Sequence, residues 1–116
     1  MTGNLPALRY PVPTAQVAPY VTVLGHDLAI KILLTFGGVE LYLATDPQAR
    51  GKVKALIGHN HSRALSDLLG TCPRRIPLAR KWIAQCLAAR GESTAHIART
   101  LRTPDVTVRR WITVPN

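Results

Sequence analysis

The chain has 116 residues, of which 47% are hydrophobic, and a formal net charge of +9. This length predicts one domain or two very small ones, with so small a core that oligomerisation would add stability. The charge is uneven, because residues 74–116 hold nine Lys/Arg and two Asp/Glu, whereas residues 1–73 hold six and four. A basic half of this kind favours a nucleic-acid partner. Binding to a membrane surface is the alternative, but the basic residues lie on predicted short helices and not on one long amphipathic helix.

The sequence lacks the features expected of an exported or membrane protein. Its start shows no basic stretch followed by an apolar run, and the longest apolar stretch, residues 28–36, is broken by Lys31. That stretch is too short to cross a bilayer. Two cysteines do not make a disulfide framework, so we expect a reduced, cytoplasmic protein. Cys86 falls on an apolar helix face and is predicted to lie in the core, whereas Cys72 has no assigned role.

The first elements along the chain are a proline-rich segment and an internal repeat. Residues 1–16 have no periodic pattern and predict a flexible N-terminal arm. A repeat with a period of 33 residues follows, in which each copy predicts two short helices separated at a glycine, a glycine turn and an extended segment. The matching segments are Val23-Leu24-Gly25-His26 with Leu56-Ile57-Gly58-His59, Phe36-Gly37 with Leu69-Gly70, and Leu43 with Ile76.

Within the repeat, residues 17–77 are predicted to form a homodimerisation region. The second helices of the two copies are expected at Asp27–Phe36 and Asn60–Leu69, and the extended segments at Val39–Leu43 and Arg74–Ile76. The first of these extended segments alternates apolar and polar residues, as a half-buried strand does. An exposed strand edge can pair with its symmetry mate. We therefore predict a two-fold dimer whose interface contains Phe36, Val39, Leu41 and Leu43.

The C-terminal part, residues 78–116, predicts a helix-turn-helix. A helix at Leu78–Arg90 ends at Gly91 and leads into a short helix capped by Ser93. After the turn, Thr103 is expected to cap the next helix and Pro104 to occupy its first position. The apolar positions are spaced for one buried face on each helix. These are Ala79, Trp82, Ile83, Cys86 and Leu87 on the first helix, Ile97, Ala98 and Leu101 on the second, and Val108, Trp111 and Ile112 on the third.

The outward positions of the last helix are candidates for base recognition in the major groove of DNA. Arg102 stands where a glycine is common in this motif, which predicts a turn that is not the usual tight one. A helical hairpin used only for packing would show a similar pattern. The expected DNA contacts are Asp105, Val106, Thr107, Arg109 and Arg110 on the recognition helix, Ser93 and Thr94 before it, and a basic cluster of Arg74, Arg75, Arg80 and Lys81 on phosphates.

Two segments resemble the Mor family, the middle-operon transcription activators of Mu-like phages. Phe36-Gly37-Gly38-Val39-Glu40-Leu41-Tyr42-Leu43 is similar to that family's Gly-Gly and Tyr-containing strand, and Ile97-Ala98-Arg99 with Val108-Arg109-Arg110-Trp111 is similar to its helix-turn-helix. The family's strand commonly ends in Ile-Pro, which only Ile76-Pro77 retains here. The resemblance implies a symmetric DNA-binding dimer in the bacterial host cytoplasm, with the N-terminal region contacting host RNA polymerase.

Other chemistries have little support in the sequence. His26, His59, His61 and His96 lack the spacing and the cysteine partners of a zinc site, so we expect no metal and no cofactor. No carboxylate pair, phosphate loop or nucleophile motif predicts an enzyme. The alternatives to an activator are a repressor with the same DNA contacts, a phage accessory protein for replication or packaging, and a protein-binding module that inhibits a host factor.

Overall fold

The computed structural model describes residues 10–43, 46–70 and 74–113, and these ranges contain six helices and a two-stranded antiparallel sheet. The mainly helical fold class is confirmed. Contacts divide the chain after Ala79 into residues 13–79, here called the repeat unit, and a C-terminal unit of residues 80–113 together with residues 10–12. The elements are α1 (Ala18–Phe36), β1 (Glu40–Leu41), α2 (Pro47–Ile57), α3 (His59–Leu69), β2 (Arg74–Arg75), α4 (Arg80–Ala89), α5 (Thr94–Leu101) and α6 (Asp105–Thr113).

A glycine interrupts the helical segment of each repeat at the same place. Gly25 has φ 81° and ψ 168°, which breaks α1 into residues 18–24 and 26–36. Gly58, between α2 and α3, has φ 87° and ψ 166°. These angles lie in a region of backbone conformation that essentially only glycine adopts. The helix–glycine–helix geometry predicted from the repeat is therefore present twice.

Among the described residues, six pairs of positions 33 residues apart are buried in both copies. The helices of the two copies pack against each other, α1 on α3 and α2 on both. Apolar side chains that leave water together stabilise the fold in proportion to the area that they bury. Each copy thus contributes an equivalent set of side chains to one shared core. The buried pairs are Tyr20 and Val53, Leu24 and Ile57, Ala29 and Ser62, Ile32 and Leu65, Phe36 and Leu69, and Leu43 and Ile76.

The sheet joins the two copies at equivalent residues. β1 pairs with β2 in antiparallel register, with Glu40 opposite Arg75 and Leu41 opposite Arg74. Leu41 and Arg74 are themselves separated by the repeat period of 33 residues. An antiparallel pair in which equivalent residues face each other has a local two-fold axis between them. The repeat unit is therefore a pseudo-two-fold structure within a single chain.

Three of the four residues predicted for the dimer interface are buried within their own chain. Phe36, Leu41 and Leu43 are only 8%, 5% and 2% exposed, because they pack into the core of their own chain. Val39 is 47% exposed and lies outside the two-residue strand, which is shorter than the expected Val39–Leu43. β1, the strand that was expected to pair with a second copy, pairs with β2 of the same chain. The second repeat supplies the partner strand.

The first helix of the C-terminal unit, α4, begins two residues later than predicted. Ala79 has φ 52°, a left-handed conformation that an α-helix cannot include, so α4 begins at Arg80 and not at Leu78. Trp82 and Ile83 are buried, as predicted. Cys86 is buried as well, and burial raises the pKa of its thiol to about 12 although Arg90 acts in the opposite direction.

Residues 10–12, predicted to belong to a flexible arm, are held against α4. The indole Nε1 of Trp82 donates a hydrogen bond to the Pro11 carbonyl at 2.9 Å. The Arg90 Nε donates to the Tyr10 hydroxyl at 3.1 Å, and the guanidinium lies 5.9 Å from the centre of the tyrosine ring. Residues 13–16 of the predicted arm lead directly into α1, and the Thr14 carbonyl accepts a hydrogen bond from the Ala18 N–H at 2.9 Å. Residues 1–9 and Cys72 lie outside the described residues.

In the part of the chain that the structure describes, one helix, α1, is long and apolar enough by length and composition to cross a membrane, which is weak support for a membrane role. Two features of the structure bear on it. Gly25 breaks the helix, so its 19 residues are not one continuous rod. Its buried residues, which include Ile32 and Leu33, form part of the core of the repeat unit.

Candidate nucleic-acid interface

The first short helix of the predicted motif, α5, is built as the sequence indicates. The Ser93 hydroxyl accepts a hydrogen bond from the backbone N–H of His96 at 3.1 Å, which satisfies one of the free donors of the first turn. Ile97, Ala98 and Leu101 are buried and face the other helices of the unit. Ser93 is therefore first of all a capping residue.

The turn after α5 is tight, although a glycine is absent. Arg102 adopts the left-handed conformation, with φ 52° and ψ 48°, and its N–H donates to the carbonyls of Ala98 and Arg99. The Thr103 N–H donates to the Ala98 carbonyl at 3.0 Å. This is the hydrogen-bond pattern that normally uses glycine to close a helix. The expectation of a looser turn at Arg102 is wrong, because the arginine itself adopts the left-handed conformation that glycine usually provides.

The residue that begins α6 also differs from the prediction. The carbonyl of Pro104, and not that of Thr103, accepts the first helical bond, from Val108 at 3.1 Å. The Thr103 hydroxyl donates back to the Leu101 carbonyl at 3.1 Å. Thr103 therefore helps to close α5 and does not cap α6. Asp105, the first residue of α6, places a negative charge at the positive end of the helix, where it is stabilising.

The outer face of α6 carries the residues that were predicted to meet base edges. Asp105, Val106, Arg109 and Arg110 are all exposed, and Val106 is 66% exposed although it is apolar. Thr107 is half-buried. Among the described residues, neither Arg109 nor Arg110 has an ion-pair or hydrogen-bond partner for its guanidinium. The helix thus presents two free arginines beside an exposed methyl-bearing side chain.

The inner face of α6 is fixed by contacts with α4 and α5. Val108 is fully buried, whereas Trp111 and Ile112 are half-buried. The side-chain amide of Gln85 on α4 donates to the Trp111 carbonyl at 2.9 Å, a contact that sequence reasoning missed. Together these contacts set the orientation of the exposed face.

The predicted basic cluster is divided between the two units. Arg80 and Lys81 are exposed in the first turn of α4. Arg74 and Arg75 belong to β2 in the repeat unit, where they are exposed and have local structural roles. The Arg75 guanidinium donates to the Gly38 carbonyl at 2.8 Å. The charge of Arg74 lowers the pKa of Tyr20, although burial of that phenol raises it by more. Contact of these four residues with phosphates stays a prediction.

Positive charge dominates the C-terminal unit. Residues 80–116 contain seven Lys/Arg and two Asp/Glu. One of the acids is Glu92, whose carboxylate oxygen Oε1 lies 3.0 Å from the His96 Nε2. Arg99 and Arg102 are exposed on and just after α5 and were not singled out from the sequence. The sequence could have identified both, since Arg99 lies on the polar face of α5 and Arg102 directly follows that helix.

The histidines do not gather in the structure. Among the described residues, no group of three or more His, Cys, Asp or Glu side chains could hold a metal ion. His59 and His61 are exposed at the start of α3, and Thr94 is half-buried at the start of α5.

No family model, no curated protein and no solved structure matches this chain. The central features of the candidate interface are the Ser93 cap of α5, the tight turn at Arg102 and the exposed arginines of α6.

Proposed function

We propose that this protein is a sequence-specific, duplex DNA-binding transcriptional regulator of the phage or prophage type. The observation that carries the proposal is the exposed face of α6, on which Val106, Arg109 and Arg110 project from a helix whose other face is fixed. A helix held in this way can enter the major groove and present its side chains to base edges. The excess of basic residues around it favours binding to phosphates.

Different residues have different roles in this proposal. Arg109 and Arg110 contribute sequence preference, because an arginine can donate two hydrogen bonds to guanine. Val106 makes apolar contact with a base, such as the methyl group of thymine. Arg80 and Lys81, on the supporting helix α4, contribute affinity for the backbone of any duplex.

The resemblance to Mor-family activators supports activation over repression, with host RNA polymerase as a further partner. The DNA contacts are the same in both roles, so they do not distinguish an activator from a repressor. A footprint at the protein's own promoters, with and without host polymerase, distinguishes the two roles. Recruitment of polymerase is the expected result, and its exclusion would make the protein a repressor.

The DNA contacts are tested by fluorescence anisotropy over a salt series. A duplex recovered by the wild-type chain from a random pool competes with its shuffled version. We expect Arg109→Ala and Arg110→Ala to reduce the preference for the recovered duplex by about 1–3 kcal/mol each. Arg80→Ala should leave that preference unchanged and lower the salt dependence of binding by about one counterion. Arg63→Ala, an exposed arginine of α3 in the repeat unit, is the control for loss of one charge.

The outcomes separate the roles. If Arg80→Ala relaxes the choice of sequence, or if the α6 variants weaken both duplexes equally, the assignment of roles is wrong. If the wild-type chain binds no duplex at low salt, DNA binding is wrong, and a basic module for an acidic protein partner becomes the better hypothesis.

A further inference from the structure

The two-fold axis of this protein lies inside one chain. Gly25 and Gly58 have nearly the same φ and ψ angles, and Leu41 faces its repeat equivalent Arg74 across the sheet. Equivalent positions of the two copies are buried in a shared core. The sequence that follows the second copy, however, contains α4, α5 and α6, whereas the first copy is followed by α2. Within residues 10–43, 46–70 and 74–113, the pseudo-symmetric repeat unit is thus accompanied by one candidate recognition helix, α6.

We propose that one copy of this chain recognises a single, non-palindromic DNA site. The proposal rests on the DNA binding proposed above and names the class of target. Symmetric helix-turn-helix dimers bind two inverted half-sites whose centres are about 10 base pairs apart, because each protomer brings one recognition helix. Here the second copy of the repeat supplies the strand that pairs with β1, as a second protomer would, but it does not bring a second recognition helix. The target is one half-site without an inverted partner.

The sheet also lacks an edge suited to pairing with another copy. Each strand is two residues long, and its exposed residues Glu40, Arg74 and Arg75 are charged. Short strands and charged side chains are the usual means by which proteins block edge-to-edge association. The hydrogen bond from Arg75 to the Gly38 carbonyl fixes one of these charges beside the sheet.

The test uses the full chain and a pool of random-sequence duplexes about 20 base pairs long, or two helical turns. Sequencing of the retained duplexes gives the motif, and native mass spectrometry gives the number of chains on each duplex. We expect a motif without inverted symmetry and one chain per duplex. A second probe carries two inverted copies of the motif one helical turn apart. On this probe the two sites should fill independently, with equal affinities.

Sedimentation of the free chain completes the test, and it should give a monomer. A stable dimer without DNA, two chains on each retained duplex, or a palindromic motif would each overturn the single-site proposal while leaving DNA binding intact. Failure to retain any duplex would overturn this proposal and the proposed function together. Val39→Glu is the matched control, since it adds charge at an exposed position beside β1 and should change neither the mass nor the stoichiometry.

Discussion

Replacing Arg102 with glycine should make the C-terminal unit more stable. Arg102 closes α5 with φ 52° and ψ 48°, and its side chain is exposed. The left-handed conformation costs a residue with a Cβ about 1–2 kcal/mol. Glycine avoids this cost but loses more freedom on folding, by roughly 0.5–1 kcal/mol. The difference predicts that Arg102→Gly is more stable than Arg102→Ala by about 1 kcal/mol, since both variants remove the same charge.

The matched control is Arg99, an exposed residue within the same helix. There the backbone is helical, and Arg99→Gly should be less stable than Arg99→Ala by about 1 kcal/mol. The sign of the glycine–alanine difference should therefore reverse over three residues. Urea unfolding followed by tryptophan fluorescence measures the effect in this unit, because both tryptophans of the chain, Trp82 and Trp111, lie in it.

The reasoning is refuted if Arg102→Gly is no more stable than Arg102→Ala. In that case the turn would not have the left-handed conformation, and the orientation of α6 after it would need revision. Arg102→Asn gives an intermediate case, because asparagine tolerates this conformation better than other residues with a side chain.

Other predictions concern the repeat unit and the buried thiol. Gly25→Ala and Gly58→Ala should each lower the free energy of unfolding by about 1–3 kcal/mol, because both glycines have angles that alanine does not adopt. Gly51→Ala is the control: it lies within α2, faces open space and should raise the free energy of unfolding by up to about 1 kcal/mol. Unequal effects at the two equivalent glycines would count against the pseudo-symmetry. In a Cys72→Ser background, Cys86 should resist thiol reagents in the folded chain at pH 8 and react on unfolding, because burial raises its pKa to about 12. Rapid labelling of the native chain would show that the site is open. In the unfolded chain the thiol ionises with its ordinary pKa of 9.0. The contribution of this group to the free energy of unfolding is therefore complete below pH 9 and is lost as the pH rises towards 12.

Local sequence patterns predicted most of the secondary structure. The Ser93 cap placed the start of α5, and the start of α6 was placed within one residue although its predicted cap was wrong, since helix termini and buried faces depend on neighbouring residues. The glycines at positions 25 and 58 located the breaks in both repeats because few other residues adopt the required angles. The start of α4 and the turn after α5 were predicted wrongly because Ala79 and Arg102 adopt positive φ angles, which are uncommon for residues other than glycine.

The pairing of elements was less predictable than the elements themselves. The strand around Leu41 was expected to pair with a second copy, and the repeat already contained the alternative partner around Arg74. Alternation of apolar and polar residues indicates which face of a strand is buried but does not identify its neighbour. The contact of Gln85 with the Trp111 carbonyl joins residues far apart in sequence, and no local pattern predicts it.

The central claim, that α6 binds duplex DNA, is tested most directly by mapping the contact surface. Amide chemical shifts of the isotopically labelled full chain are recorded as a duplex about 20 base pairs long is added. The largest changes should fall on residues 105–110, with smaller ones at Arg80 and Lys81, and Arg109→Ala should reduce them. Changes concentrated on α2 and α3, with α6 unaffected, would contradict the claim.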